Sequence, residues 1–174
     1  MQLSKQKRVR KLSEPEPTRP RMGADYGISG SEEGMLSWER VAERMAGARN
    51  YWVSTMRPDG RPHATPVWGV WVEGTLYFGT SRGSRKGRNL ATNPALTVHL
   101  ESGDDVVIIE GMVKEVTDRA SLAAVDAAYQ AKYGISVGEA GNEVVWYVLR
   151  PETAYAWLES DFPNTATRWC FSNA

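Results

Sequence analysis

The chain of 174 residues sets 21 lysines and arginines against 21 aspartates and glutamates, and 41% of it is hydrophobic, with seven tryptophans. One domain with a sizeable core is the simplest arrangement for that length, and zero net charge excludes global steering toward nucleic acid or an anionic membrane. A single cysteine, Cys170, excludes an internal disulfide framework and fits a reducing cytoplasmic compartment; no apolar run approaches the ~20 residues of a spanning helix, and no signal-peptide core opens the sequence.

Residues 1–30 hold Lys5, Lys7, Arg8, Arg10, Lys11, Arg19 and Arg21, three prolines and almost no large apolar side chains, which predicts a disordered basic arm before one domain over 31–174. Trp38, Val41, Ala42 and Met45 recur at helical spacing and predict a helix over about 37–46. Strand patterns over 51–56 and 63–72 flank Arg57-Pro58-Asp59-Gly60, a turn sequence, and Glu73-Gly74 then links to a third strand over 75–80. A short helix from Ser84 to about Ala91 is stopped by Asn93-Pro94. Strands follow over about 95–101 and 106–116, then an amphipathic helix over 119–133 ended by Gly134, then strands over about 144–149 and 153–159. Short antiparallel strands with few helices favour a closed or nearly closed barrel, and the regular strand–helix alternation of a doubly wound sheet is missing.

The stretch Thr80-Ser81-Arg82-Gly83-Ser84-Arg85-Lys86-Gly87-Arg88-Asn89-Leu90 is the most informative. It places glycine, serine and cations just after a strand. Ser84 is a good N-cap, and Arg85 and Lys86 then fall in the first helical turn, where the macrodipole disfavours cations unless an anion offsets them. A solvated basic turn and a phosphate site both fit this spacing, and the order of a Walker loop is absent. Two histidines and one cysteine without zinc-like spacing offer no protein-held metal, and no nucleophile–base pair is visible. His99 reads as a strand residue on a polar face; His63 reads equally as structural.

The order of elements and several motifs together resemble the FMN-binding split-barrel family of pyridoxamine 5'-phosphate oxidase. These motifs are Gly83-Ser84-Arg85-Lys86 after a strand, Asn93-Pro94 before the next, and Asp59-Gly60-Arg61-Pro62. The run Lys86-Gly87-Arg88-Asn89-Leu90 and the ending Ala166-Thr167-Arg168-Trp169-Cys170-Phe171 are more similar to the branch that uses FMN or the deazaflavin F-420. The resemblance covers roughly residues 36–171. It implies a mainly β fold with peripheral helices, a six-stranded antiparallel split β-barrel, and a homodimer with the cofactor between subunits. It further implies Arg85 and Lys86 as phosphate ligands, with Thr80 and Ser81 as hydroxyl or backbone partners and Arg88 as a further cation. Thr65, Pro66, Val67 and Trp68 would run beside the ring, Trp68 either packing on it or lying in the core. Arg168 and Trp169 would reach the partner's cofactor. Ala64 and Gly69 stand where those oxidases carry an arginine for phosphate and a lysine near the vitamin substrate, so pyridoxamine 5'-phosphate oxidase activity itself is not implied.

The resulting expectation is an oxidoreductase that uses bound F-420, or alternatively FMN, to transfer hydride to a small unsaturated or aromatic substrate, with Trp68, Trp71, Tyr77 and Trp169 as pocket candidates. The alternative is a non-catalytic protein that binds or sequesters a flavin, F-420 or haem.

Overall fold

A computed structural model describes residues 15–141 and 143–171. In chain order the elements are β1 (Pro17–Thr18), α1 (Trp38–Gly47), β2 (Asn50–Met56), β3 (Pro62–Val72), β4 (Thr75–Ser81), α2 (Arg85–Thr92), β5 (Ala95–His99), β6 (Asp105–Glu115), α3 (Arg119–Tyr133), β7 (Val144–Leu158), α4 (Phe162–Thr165) and β8 (Thr167–Cys170). Each long helix starts at a side-chain cap. Ser37, Ser84 and Asp118 accept the N–H groups of Arg40, Gly87 and Ser121, and Gly134 ends α3 in the left-handed conformation at φ 74°.

Strands β2 to β7 close on themselves in the order β7–β4–β3–β2–β5–β6–β7, a six-stranded antiparallel barrel. The β3–β4 link is a two-residue turn at Glu73 and Gly74, both at positive φ, which matches the twist of the flanking strands. Inside the barrel lie Tyr51, Val53, Leu76, Phe78, Val98, Ile109 and Leu149, each at most 1% exposed. Truncating Phe78 or Ile109 to alanine removes contacts on all sides and costs about 3–5 kcal/mol. A second apolar cluster, with Val70, Tyr77, Val116, Val125 and Trp146, seats α3 against the outside.

Two expectations are corrected. The strands predicted over 144–149 and 153–159 form one strand, β7. The gap between the two ranges holds Pro151, which donates no ladder hydrogen bond, and the chain absorbs it in a bulge: Pro151 lies opposite Gly111 and Thr153 opposite Glu110, leaving Glu152 as the extra residue. Gly111 is required there, since a Cβ would sit 2.1 Å from the Arg150 carbonyl oxygen. The expected basic arm over 1–30 also differs in its second half, while residues 1–14 lie outside the described residues. Pro17 and Thr18 pair with Trp169 and Arg168, and the Arg19 guanidinium donates to the carbonyls of Ser31, Glu33, Asn164 and Ala166. Composition suggested solvation here, but one arginine fastening two loops outweighs it. Among the described residues no helix is long and apolar enough to cross a membrane.

Candidate anion site

The chain leaves the barrel at Ser81 and turns through Arg82–Ser84 into α2. The turn is tightly held. Ser81 Oγ accepts the Gly83 N–H at 3.2 Å, the Ser84 N–H donates to the Ser81 carbonyl at 3.1 Å, and the hydroxyls of Thr80 and Ser84 lie 3.0 Å apart. Gly87 is the close-packed position: a Cβ would lie 2.2 Å from the Ser81 carbonyl oxygen and 3.0 Å from that of Arg82. Strand end and helix start therefore touch backbone to backbone, and α2 opens with two cations and no acidic residue in its first turn.

Those two cations differ in surroundings. Arg85 is exposed. Lys86 is only 9% exposed, and among the described residues no carboxylate lies within ion-pairing distance of it; desolvation pushes its pKa below the usual lysine value. A largely buried lysine with no opposite charge beside it has its charged form disfavoured, and an anion at the site would offset that cost.

Facing α2 is the β2–β3 hairpin, and it brings further polar groups. Arg57 Nε and His63 Nδ1 are buried without a hydrogen-bond partner. Burial first, then the charges of Arg57, Lys86 and Arg85, hold the His63 imidazole below its usual pKa. Asn89, 1% exposed on α2, donates to Thr55 Oγ1 at 3.0 Å, and Thr55 donates in turn to the His63 carbonyl at 3.3 Å, so helix and hairpin are joined directly beneath the cations. The Asn89 side-chain amide oxygen, Oδ1, is also buried and unpaired. The carboxylate on this turn, Asp59, is already taken. Arg61 grips it at 2.6 Å, and that bond is the main reason its pKa is lowered.

The other cations of the loop are engaged. Arg82 pairs with Glu115 at 2.6 Å, and Arg88 donates to the Gly83 carbonyl. Along β3 the faces alternate as a strand requires: Val67 enters the core, Thr65 is partly buried, and Pro66 and Trp68 face outward. Trp68 is 40% exposed, stacks on Tyr133 at 4.6 Å and lies under the Arg49 guanidinium. Next to it α3 covers the backbone of Gly69. Tyr133 OH accepts the Gly69 N–H at 3.0 Å, and Lys132 Nζ donates to the Gly69 carbonyl at 2.9 Å and to Tyr51 OH at 3.0 Å. Burial, with Arg49 nearby, lowers the Lys132 pKa to about 8.

Arg168 and Trp169 are not brought to the loop within the protomer. They lie on β8, which pairs with Thr153–Ala156 of β7, whereas β4 pairs with Val144–Val148. Arg168 donates to Cys170 Sγ at 2.6 Å. Trp169 is fully buried within the chain, edge-on to Trp38 at 5.5 Å. Trp71 and Tyr77 likewise pack in the two apolar clusters. Arg57, His63 and Asn89 were missed as site residues. The available signal was Arg57-Pro58-Asp59-Gly60-Arg61-Pro62-His63, a hairpin turn that carries two arginines and a histidine, but only the barrel's closure tells which of them face α2.

Comparison with known proteins agrees with this architecture. The profile of the pyridoxamine 5'-phosphate oxidase family matches residues 37–158. No curated protein matches the chain in sequence. Among solved structures, a conserved hypothetical protein from Mycobacterium tuberculosis is 24% identical at a TM-score of 0.64, covering 75% of this chain and 90% of its own. A heme-binding protein from Mycobacterium smegmatis is 22% identical at 0.57, over 70% of this chain and 54% of its own. A protein described as an F420 reductase is 24% identical at 0.52, over 64% of this chain and 94% of its own. Identities this low speak for the fold alone, which the three structures share with this chain. A closed six-stranded barrel whose matched segment runs from α1 to the end of β7 places this chain in the pyridoxamine 5'-phosphate oxidase family.

Proposed function

We propose that the protein binds FMN or F-420 and holds the cofactor by its phosphate group between α2 and the β2–β3 hairpin. The observation that carries this reading is Lys86, buried at the start of α2 with no carboxylate partner among the described residues. Arg85 stands beside it at the rim, and Thr80, Ser81 and Ser84 fix the backbone so that the N–H groups opening α2 are available. Lys86 binds the anion as a point charge, and the outward backbone of Thr65–Trp68 lines the approach to the ring.

When bound, such a cofactor supplies hydride transfer, and the chain's own residues bind and orient it. No side chain is assigned to bond making, so cofactor binding without turnover, as in a carrier or sequestering protein, accounts for the geometry as well as an oxidoreductase does. The likeness to a protein described as an F420 reductase favours hydride transfer to a small unsaturated or aromatic substrate; the likeness to a heme-binding protein favours sequestration. The outward faces of β2 and β3 expose Met56 and Trp68 beside Ala64 and Pro66, a surface suited to a second copy of the chain.

Parallel fluorescence titrations with FMN and F-420 test the reading. Micromolar binding of at least one is expected, and the double substitution Arg85→Ala with Lys86→Ala weakens it by tenfold or more, from loss of about 1.5–3 kcal/mol in charge-assisted bonds. Binding of neither, or binding untouched by the double substitution, overturns it. Hydride loss that depends on an added acceptor separates an oxidoreductase from a binder.

A further inference from the structure

We infer that His63, with Arg57, is a ligand of the bound phosphate group, and that the imidazole takes up a proton from solvent when the phosphate arrives. This rests on the proposal that the site between α2 and the hairpin holds a phosphate.

The geometry comes first. His63 is the second residue of β3 and lies opposite Thr55 of β2, whose hydroxyl receives the Asn89 amide of α2 and donates to the His63 carbonyl. That relay fixes the strand against the first turns of α2. His63 Nδ1 and Arg57 Nε are both buried and both lack a partner. Buried polar atoms are nearly always paired, so two orphaned nitrogens from one hairpin, beside a lysine whose side chain is largely buried, mark a place suited to an acceptor. Arg57 contributes a donor. His63 contributes one only when a proton is on the nitrogen that faces the anion.

The charged groups around the ring fix the direction of the linkage. From α2, Lys86 and Arg85 face it; from the hairpin turn, Arg57 does; and Asp59 is held by Arg61. Three cations and a partly buried site keep the imidazole neutral while the site is empty. A phosphate offsets most of that positive charge and faces the ring directly, since it brings up to two negative charges and three acceptor oxygens. The imidazolium then gains a charge-assisted bond, and binding is accompanied by proton uptake below neutral pH.

The chain has only two histidines, so their ring signals are separable by NMR, and His99, stacked on Trp52 and bonded to the Leu100 carbonyl, serves as the internal control. The experiment follows both imidazole titrations in the purified full chain, alone, with FMN, with inorganic phosphate, and with riboflavin, which carries the ring without the phosphate. A rise of the His63 pKa with FMN and with phosphate, but not with riboflavin, is expected, with His99 unmoved. Each unit of rise corresponds to about tenfold in affinity, lost in His63→Gln as pH falls from about 7.5 to 6, while the phosphate's own ionisation affects both proteins equally. FMN bound with the His63 titration unchanged overturns the inference and leaves the phosphate site standing. A shift of equal size with riboflavin also overturns it. Binding of neither FMN nor F-420 overturns the site and the inference together.

Discussion

Lys86 on α2 and Lys132 on α3 are each partly withdrawn from water and each has a lowered pKa, yet they are built for different purposes. Lys132 is satisfied within the chain. Its ammonium donates to the Gly69 carbonyl and the Tyr51 hydroxyl and lies 4.7 Å from the centre of the Tyr51 ring. Lys86 has no such partners, and its neighbours Arg57 and His63 are short of partners too. Hydrogen-bond partners for the ammonium are supplied within the chain at Lys132, although burial still depresses its pKa, and are left open at Lys86. Burial and a shifted pKa therefore do not single out a binding residue; the missing partner does.

The comparison is broken most severely at Gly87. Its backbone lies so close to the Ser81 and Arg82 carbonyls that Gly87→Ala forces α2 away from the end of β4, at a cost of about 3 kcal/mol or more. Calorimetry and anion titration should both register it, because α2 carries Lys86 and Asn89 together. Retained FMN or F-420 affinity in a destabilised Gly87→Ala protein would mean that α2 does not supply the anchor.

Substituting the two lysines with methionine should give opposite signs in chemical denaturation. Lys132→Met removes bonds to Gly69 and Tyr51, which Tyr133 and Met45 only partly replace, and should lower stability by about 1–2 kcal/mol without touching anion binding. Lys86→Met removes a partly desolvated charge that has no opposite partner and should raise the stability of the cofactor-free protein by up to about 1 kcal/mol while weakening cofactor binding. Two destabilised variants would mean that Lys86 is engaged in the cofactor-free protein and is no open site.

The pH dependence of stability sharpens the same contrast. The folded-state pKa of Lys132, about 8, lies below its usual 10.5, so between those values the unfolded chain holds more protons and stability rises with pH. Across about pH 8 to 10.5 the wild type should gain on Lys132→Met. The depressed pKa of His63 acts in the same sense in a lower window: the cofactor-free protein loses stability as pH falls from 6.5 through the folded value, and His63→Gln removes that slope. Equal slopes in wild type and variant would remove either residue from the account.

Much of this was legible before the structure. Periodicity placed α1, α3 and the strands from β2 to β6 within a few residues, because their apolar alternation is regular and their turns carry Pro, Gly or Asn at the positions that need them. The α2 cap at Ser84 and the prominence of Lys86 were legible for the same local reason. Three things were not, since each depends on distant contacts. β7 was split in two because the bulge that carries the chain through Pro151 is set by Gly111 on β6. The 17–18 pairing with β8 and the burial of Trp169 depend on how the C-terminus returns to β7. His63 looked structural because nothing in its own segment reveals that α2 brings cations to it. Sequence located the loop; only closure of the barrel located what the loop faces.

The smallest expected effect tests whether the cations of that loop are interchangeable. Arg82, Arg85, Lys86 and Arg88 fall within seven residues of sequence, and a purely electrostatic loop would lose affinity by similar steps as each is removed. The geometry argues otherwise. Arg82 reaches across to Glu115 on β6, an exposed pair at 2.6 Å, and Arg88 is turned back onto the Gly83 carbonyl. An exposed pair of this kind contributes about 0.2–1 kcal/mol. Arg82→Ala should therefore cost no more than about 1 kcal/mol of stability and change the affinity for FMN or F-420 by less than about twofold at physiological salt, where charges beyond the ~8 Å screening length are felt weakly. A tenfold loss on Arg82→Ala would mean that the loop acts through its summed charge, and the distinction drawn from the unpartnered Lys86 would lose its footing.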